Sequence, residues 1–299
     1  MPQNNKNYNW SQLIQSKGHP VQEYEVTTED GYILEIQRIP WGRNGAPVDK
    51  TSTTPVLVQH GILASSADFV NNFYNQSLGF LLADAGYDVW LGNSRGNTYT
   101  SHVNLSQKGR EFWNFSADEI MIYDLPAMID AVLRISGQEK LQYIGWSQGA
   151  QILFELLSER PEFNNKITLF SGMAPVAYLG HLRAPLRVLL PFEDILALVR
   201  CDCFQKYDFG SFGNKEKYGK VNPPQHQLSN TKLPVAIYWS DGDELVTTKD
   251  VARLRSELPN VVAFYKVPDD KFTHLDFAWG ITSANVLYRE MIDLMDKYK

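Results

Sequence analysis

The chain has 299 residues, 43% hydrophobic and 21% charged. That is enough apolar material for a large buried core, and it excludes global disorder. Lys and Arg total 28 against 34 Asp and Glu, so the net charge of −6 suits neither nucleic acid wrapping nor a polybasic surface. No apolar run approaches the roughly 18 residues that would span a bilayer.

In chain order, Glu23–Thr28 and Tyr32–Ile39 alternate in polarity around Glu29-Asp30-Gly31, a hairpin signal. A loop rich in Gly, Pro, Ser and Thr runs from Trp41 to Pro55. Val56–Gln59 is a short buried strand ending in His60-Gly61. Ser77–Ala85 carries Leu78, Leu81 and Leu82 at helical spacing and stops at Gly86. Tyr87–Leu91 is a strand that runs into Gly92-Asn93-Ser94-Arg95-Gly96. Glu119–Ile135 is an amphipathic helix ending before Gly137. Leu141–Ile144 is a strand and Gln148–Ser158 a helix. Ile167–Ser171, Pro234–Trp239 and Val262–Val267 are further strands, and Ala284–Tyr298 is a closing helix.

Short apolar strands alternating with helices predict an α/β fold, a mostly parallel, doubly wound sheet with the N-terminal hairpin as an antiparallel edge. The stretch between Tyr178 and Lys232 is too long for a plain crossover. It predicts a short helical cap inserted in the sheet: core 1–178, cap 179–232, core 233–299.

The pentapeptide Gly145-Trp146-Ser147-Gln148-Gly149 fits G-x-S-x-G. It follows a strand and opens a helix, the context of a nucleophile elbow. Gly145, Gly149 and Ala150 would let strand and helix approach closely. A serine hydroxyl needs a base to take its proton. Of the six histidines, His19, His102, His181 and His226 lie in loop, terminal or cap contexts, and His60-Gly61 suits an oxyanion loop. His274, in the loop after Val262–Val267, is the expected base.

A carboxylate should orient that imidazole. Asp243 is preferred within Ser240-Asp241-Gly242-Asp243-Glu244, with Asp241 as runner-up. Asp276 is read as a brace of the His274 loop and Asp250 as a helix cap. The tetrahedral intermediate needs two backbone N–H donors. These are expected from Gln148 and from Ile62, with Leu63 as the alternative.

No phosphate-binding loop or His-Glu-x-x-His pair occurs, so no metal or other cofactor is expected. Cys201 and Cys203 are too few for a disulfide scaffold or a four-thiolate zinc site. Neighbours this close rarely form an unstrained disulfide, so they are read as free cap thiols, or as one thiol paired with another chain.

With these residues assigned, the chain resembles the acid lipases, the family of gastric and lysosomal acid lipases. The resemblance runs from about residue 20 to the C-terminus. It is carried by Glu23-Tyr24-Glu25-Val26, Glu29–Glu35, QHGILAS at 59–65, LADAGYDVWLGNSRGNTY at 82–99, YDLPA at 123–127, GWSQG at 145–149 and HLDFAWG at 274–280. It implies an α/β-hydrolase fold with a cap and hydrolysis of lipid carboxylic esters of the triacylglycerol or steryl type. It implies Ser147, Asp243 and His274 as nucleophile, acid and base, with Ile62 and Gln148 as oxyanion donors.

Two departures stand out. Trp146 occupies a position where family members usually have His, and the cap from about Leu179 to Lys232 is much shorter than theirs. Leu63, Trp146, Leu186 and Leu189 are expected to line the substrate site. The partners expected are a lipid ester and a lipid–water interface, without nucleic acid or a transmembrane segment.

The short cap leaves a short-chain carboxylesterase as an alternative, and a steryl esterase or an acyltransferase as further rivals. A lipid-binding module that keeps only the fold is the non-catalytic rival. The family implies a secreted or lysosome-like location, to which sequons at Asn9, Asn75, Asn104 and Asn114 add slight weight. The polar start, Met1 to Asn7, does not read as a signal peptide and keeps a cytoplasmic location open.

Overall fold

The computed structural model describes residues 10–48, 53–183 and 201–299. Nine strands form one sheet: β1 (Gln22–Thr27), β2 (Tyr32–Ile39), β3 (Pro55–Gln59), β4 (Asp88–Leu91), β5 (Thr100–His102), β6 (Leu141–Trp146), β7 (Ile167–Met173), β8 (Val235–Trp239) and β9 (Val261–Lys266). Their order is β1-β2-β4-β3-β6-β7-β8-β9, with β5 paired to β2. The pairs from β4 to β9 are parallel, while β1, β2 and β5 join antiparallel.

Every residue of β3, β4 and β6 is buried, as parallel strands covered on both faces must be. That is why these segments read as mostly apolar runs rather than alternating ones. The longer helices among the described residues are α1 (Trp10–Ser16), α2 (Leu78–Asp84), α3 (Leu125–Ser136), α4 (Gln148–Glu159), α5 (Gly210–Tyr218), α6 (Thr248–Glu257) and α7 (Arg289–Met295). α3 ends on Gly137 at φ 73°, the left-handed cap that its sequence predicts.

A buried ion network ties the hairpin to the loop after β4. The Arg95 guanidinium lies 3.9 Å from the centre of the Tyr32 ring. It donates to Asp30 Oδ1 and Oδ2 at 2.8 and 2.6 Å, and to Asp124 Oδ1 from Nε and Nη2 at 2.8 and 2.7 Å. Asp124 Oδ2 also accepts the Arg95 N–H at 2.8 Å. The loop that carries Ser94 is thereby pinned from two sides. β5 and the polar helix α5 are not foreseen from the sequence. The first is only three residues long, and the second lacks an apolar stripe.

Cys201 and Cys203 are not free thiols. They form a disulfide, with Cα atoms 5.1 Å apart. Asp202 between them adopts φ 46°, a left-handed turn that folds the two cysteines toward each other. Nearby, Glu159 at the end of α4 meets His226 Nδ1 at 3.6 Å and Lys206 Nζ at 2.5 Å, which joins the inserted segment to the core.

The close contact with His226, then Lys206, holds the Glu159 carboxyl down at about 2, against the opposing effect of burial. A depressed carboxylate contributes stability above its unfolded value of 4.5 and loses it as pH falls toward 2. Glu159→Gln should therefore flatten the decline of Tm across that window, as followed by thermal denaturation against pH. An unchanged acid limb would show that the pair contributes nothing.

Candidate active site

The sheet delivers the predicted site residues to loops that follow the carboxyl ends of its parallel strands, where open α/β sheets form their crevices. Ser147 stands between β6 and α4 at φ 56° and ψ −119°. That conformation is costly for a non-glycine residue and is held by its surroundings. Its backbone N–H donates to Met173 O at 3.0 Å, across to the end of β7.

The small neighbours are required. A Cβ on Gly145 would lie 2.6 Å from Ala150 N, and one on Gly149 would lie 2.4 Å from Gln59 O.

The segment after β3 packs directly on this turn. A Cβ on Gly61 would sit 3.0 Å from Ser147 Cβ and 3.5 Å from its Oγ. His60 holds the segment from below. Its Nε2 accepts the Ser94 N–H at 3.2 Å, so Nδ1 carries the proton and donates to Gly61 O at 2.7 Å. Burial pushes the His60 imidazole below its ordinary value, which favours this neutral form.

Sequence reasoning places His60 in the oxyanion loop but misses Ser94 as its partner. The available signal is the Gly- and Asn-rich run at the end of β4.

Ile62 and Gln148 both line a cavity of about 550 Å³ beside Gly61. Apolar Ala64, Trp113, Phe115 and Ile120 share its wall with polar Asn97 and Thr98. Leu63 lies on the same wall at its outer rim, 83% exposed and at φ 59°.

His274 Nδ1 meets Asp243 Oδ2 at 2.8 Å. Asp243 is buried, and its Oδ1 accepts the N–H groups of Leu245 and Val246, each at 2.8 Å. Asp241 is turned away to Lys266 and Thr248. The structure thus brings Asp243, not its rival, to the imidazole. Among the described residues no hydrogen bond joins Ser147 Oγ to the ring, a contact that unliganded active sites often leave long.

Asp276 braces the loop as expected, accepting from Thr273 N and Oγ1 at 2.7 and 2.6 Å. Asp250 does not cap α6. It sits in the first turn and takes His181 Nδ1 at 2.7 Å and Thr247 Oγ1 at 2.8 Å. Trp146, expected at the substrate wall, is packed in the core beside the base. It is 3% exposed, because the residue before the elbow belongs to the central strand, and its indole lies under His274. Leu186 and Leu189 lie outside the described residues.

The arrangement holds a hydroxyl on a strained turn, an imidazole oriented by a buried carboxylate, and a loop backbone packed against the hydroxyl. These are the parts that nucleophilic acyl transfer uses.

Comparison with known proteins agrees in family and fold. The partial alpha/beta-hydrolase lipase region matches residues 10–73, and the alpha/beta hydrolase fold matches residues 54–192. Gastric triacylglycerol lipase of Rattus norvegicus is 35% identical, covering 97% of this chain and 92% of its own. Lysosomal acid lipase/cholesteryl ester hydrolase of Macaca fascicularis is 34% identical, covering 98% and 92%.

Among solved structures, an esterase of Pyrococcus furiosus superposes with a TM-score of 0.62 at 16% identity, covering 99% of this chain and 98% of its own. Est1E of Butyrivibrio proteoclasticus does so with a TM-score of 0.62 at 13% identity, covering 92% and 98%. Those two likenesses establish the fold alone. The chain belongs to the acid lipase family of α/β hydrolases, the family of the gastric and lysosomal acid lipases, and is a carboxylic ester hydrolase.

Proposed function

We propose that the protein hydrolyses carboxylic esters of lipids by two-step acyl transfer. Ser147 attacks the ester carbonyl as His274 takes its proton, and Asp243 holds the imidazole in the right tautomer and stabilises its cation. The N–H groups of Ile62 and Gln148 receive the oxyanion. His274 then protonates the leaving alcohol and activates the water that frees the acyl group.

The observation that carries this reading is the 2.8 Å His274–Asp243 hydrogen bond, with Ser147 on its strained turn. The apolar part of the cavity wall supports an acyl or alkyl occupant. Exposed Leu63, Trp113, Leu275, Trp279 and Ile281 supply apolar surface suited to a lipid–water interface. Similarity to gastric triacylglycerol lipase and to lysosomal acid lipase/cholesteryl ester hydrolase points to triacylglycerols or cholesteryl esters as the substrate class.

A second reading is a short-chain carboxylesterase. It is favoured by an alignment with the rat lipase that runs over 366 positions, more than this chain's 299 residues. The relatives therefore carry stretches absent here, and we assign the loss to the cap, 179–232. Hydrolysis of p-nitrophenyl esters from acetate to palmitate, in solution and with micelles, decides between the two. A peak at long chains that rises with micelles is expected. A peak at acetate or butyrate without that gain would replace the lipase reading with the esterase one.

A secreted or lysosome-like location is supported by the Cys201–Cys203 disulfide and by the exposed sequon residues Asn75, Asn104 and Asn114. No helix among the described residues is long and apolar enough to cross a membrane.

A further inference from the structure

We infer that Trp146 is a positioning residue for the base, and that it acts through its indole N–H. The inference rests on the proposed triad and adds a component to it. Trp146 Nε1 donates to the backbone carbonyl of His274 at 3.2 Å. The indole also lies against the imidazole, with ring centroids 5.7 Å apart and planes at 33°. The residue that precedes the nucleophile thus holds the residue that activates it. This contact crosses 128 positions of sequence.

Asp243 grips one ring nitrogen of His274 and does not touch its backbone carbonyl. The Trp146 N–H holds the His274 backbone carbonyl. Together the two contacts, one on the ring and one on the backbone, set the orientation of the imidazole.

The indole is itself held. Trp279 packs on it at 6.3 Å, and Trp279 Nε1 donates to Asp68 Oδ1 at 2.9 Å. Asp68 Oδ2 accepts the Ser65 N–H at 2.9 Å, in the segment that continues the His60–Leu63 loop. A chain of contacts therefore runs from the oxyanion side, through two indoles, to the base. Sequence reasoning cannot see it, because an indole before a nucleophilic serine reads as a substrate wall or a core residue.

Two substitutions separate the hydrogen bond from the bulk of the ring. The imidazole Nε2 occupies the same place in its five-membered ring as the indole Nε1. Trp146→His therefore keeps an N–H at that point and discards the outer ring. Trp146→Phe keeps aromatic bulk and discards the N–H.

With a soluble p-nitrophenyl ester, Trp146→Phe should lower kcat by about tenfold, the scale of one lost hydrogen bond at the transition state, with KM unchanged. Reaction of Ser147 with an organophosphonate should slow by the same factor, since it needs the same base. Trp146→His should stay within about twofold of the parent on both readouts, which packing loss alone would not allow.

A Trp146→Phe protein with parental kcat overturns the inference. So does a Trp146→His protein as slow as Trp146→Phe, which would assign the effect to bulk. Ser147→Ala is run beside them. If it keeps its activity, the triad reading fails; if it loses activity while Trp146→Phe does not, only the role of Trp146 fails.

Discussion

Ser147→Ala should lower kcat/KM on ester substrates by at least about a thousandfold, with residual activity left only to the oxyanion donors and binding. The substitution removes the attacking oxygen and little else. The methyl group fits where the hydroxymethyl stood, and alanine bears the same left-handed backbone that serine already bears at φ 56°. Tm should therefore move little, so the loss reads chemistry rather than folding. Labelling by an organophosphonate should vanish together with hydrolysis. Retention of most of the hydrolysis, or labelling of the alanine protein at another residue, would sink the assignment of Ser147.

Gly149→Ala should damage both stability and turnover. Its new Cβ would fall 2.4 Å from Gln59 O and 2.7 Å from His60 O, both backbone atoms at the root of the oxyanion loop. Neither can rotate away, so helix α4 and the end of β3 must separate. Overpacking of this kind costs about 1–3 kcal/mol, which should lower Tm by several degrees. The same displacement carries Ile62 away from the turn that holds Ser147. Loss of one oxyanion donor costs about a hundredfold or more in kcat, and a loss of that order is expected here. Calorimetry with steady-state kinetics checks both halves. A protein with parental Tm and kcat would mean that the close approach is not needed.

Much of the fold was legible because its signals are local. The central strands are mostly apolar and buried through their length, and Gly86 and Gly137 mark helix ends at positive φ. The hairpin turns at Gly31, also at positive φ, and the turn after β6 needs small residues on both sides of Ser147. These are demands of backbone conformation and of two-sided burial, and neighbours in sequence carry them. The family resemblance rests on the same segments. The order of serine, aspartate and histidine follows from the order of the strands.

Other points were decided only in three dimensions, because they depend on which groups meet across the sheet. Asp241 and Asp243 stand two residues apart in one acidic run, where the sequence prefers Asp243 without showing how either is held. In the fold one turns outward to Lys266 while the other is buried, with His274 on one oxygen and two backbone N–H groups on the other. Asp250 looked like a cap and instead holds His181. Cys201 and Cys203 looked too close to bond, and the left-handed turn at Asp202 brings them together.

The sequence by itself determined the α/β class, the serine turn, the candidate base and the loop that faces them. The tertiary structure alone decided how Asp243 is held against His274, how His60 and Ser94 hold the loop after β3, and that Trp146 packs against His274. The physical reason is range: turns and burial patterns are written within a few residues, whereas hydrogen-bond partners are chosen by strands and loops that meet only when the sheet closes around them.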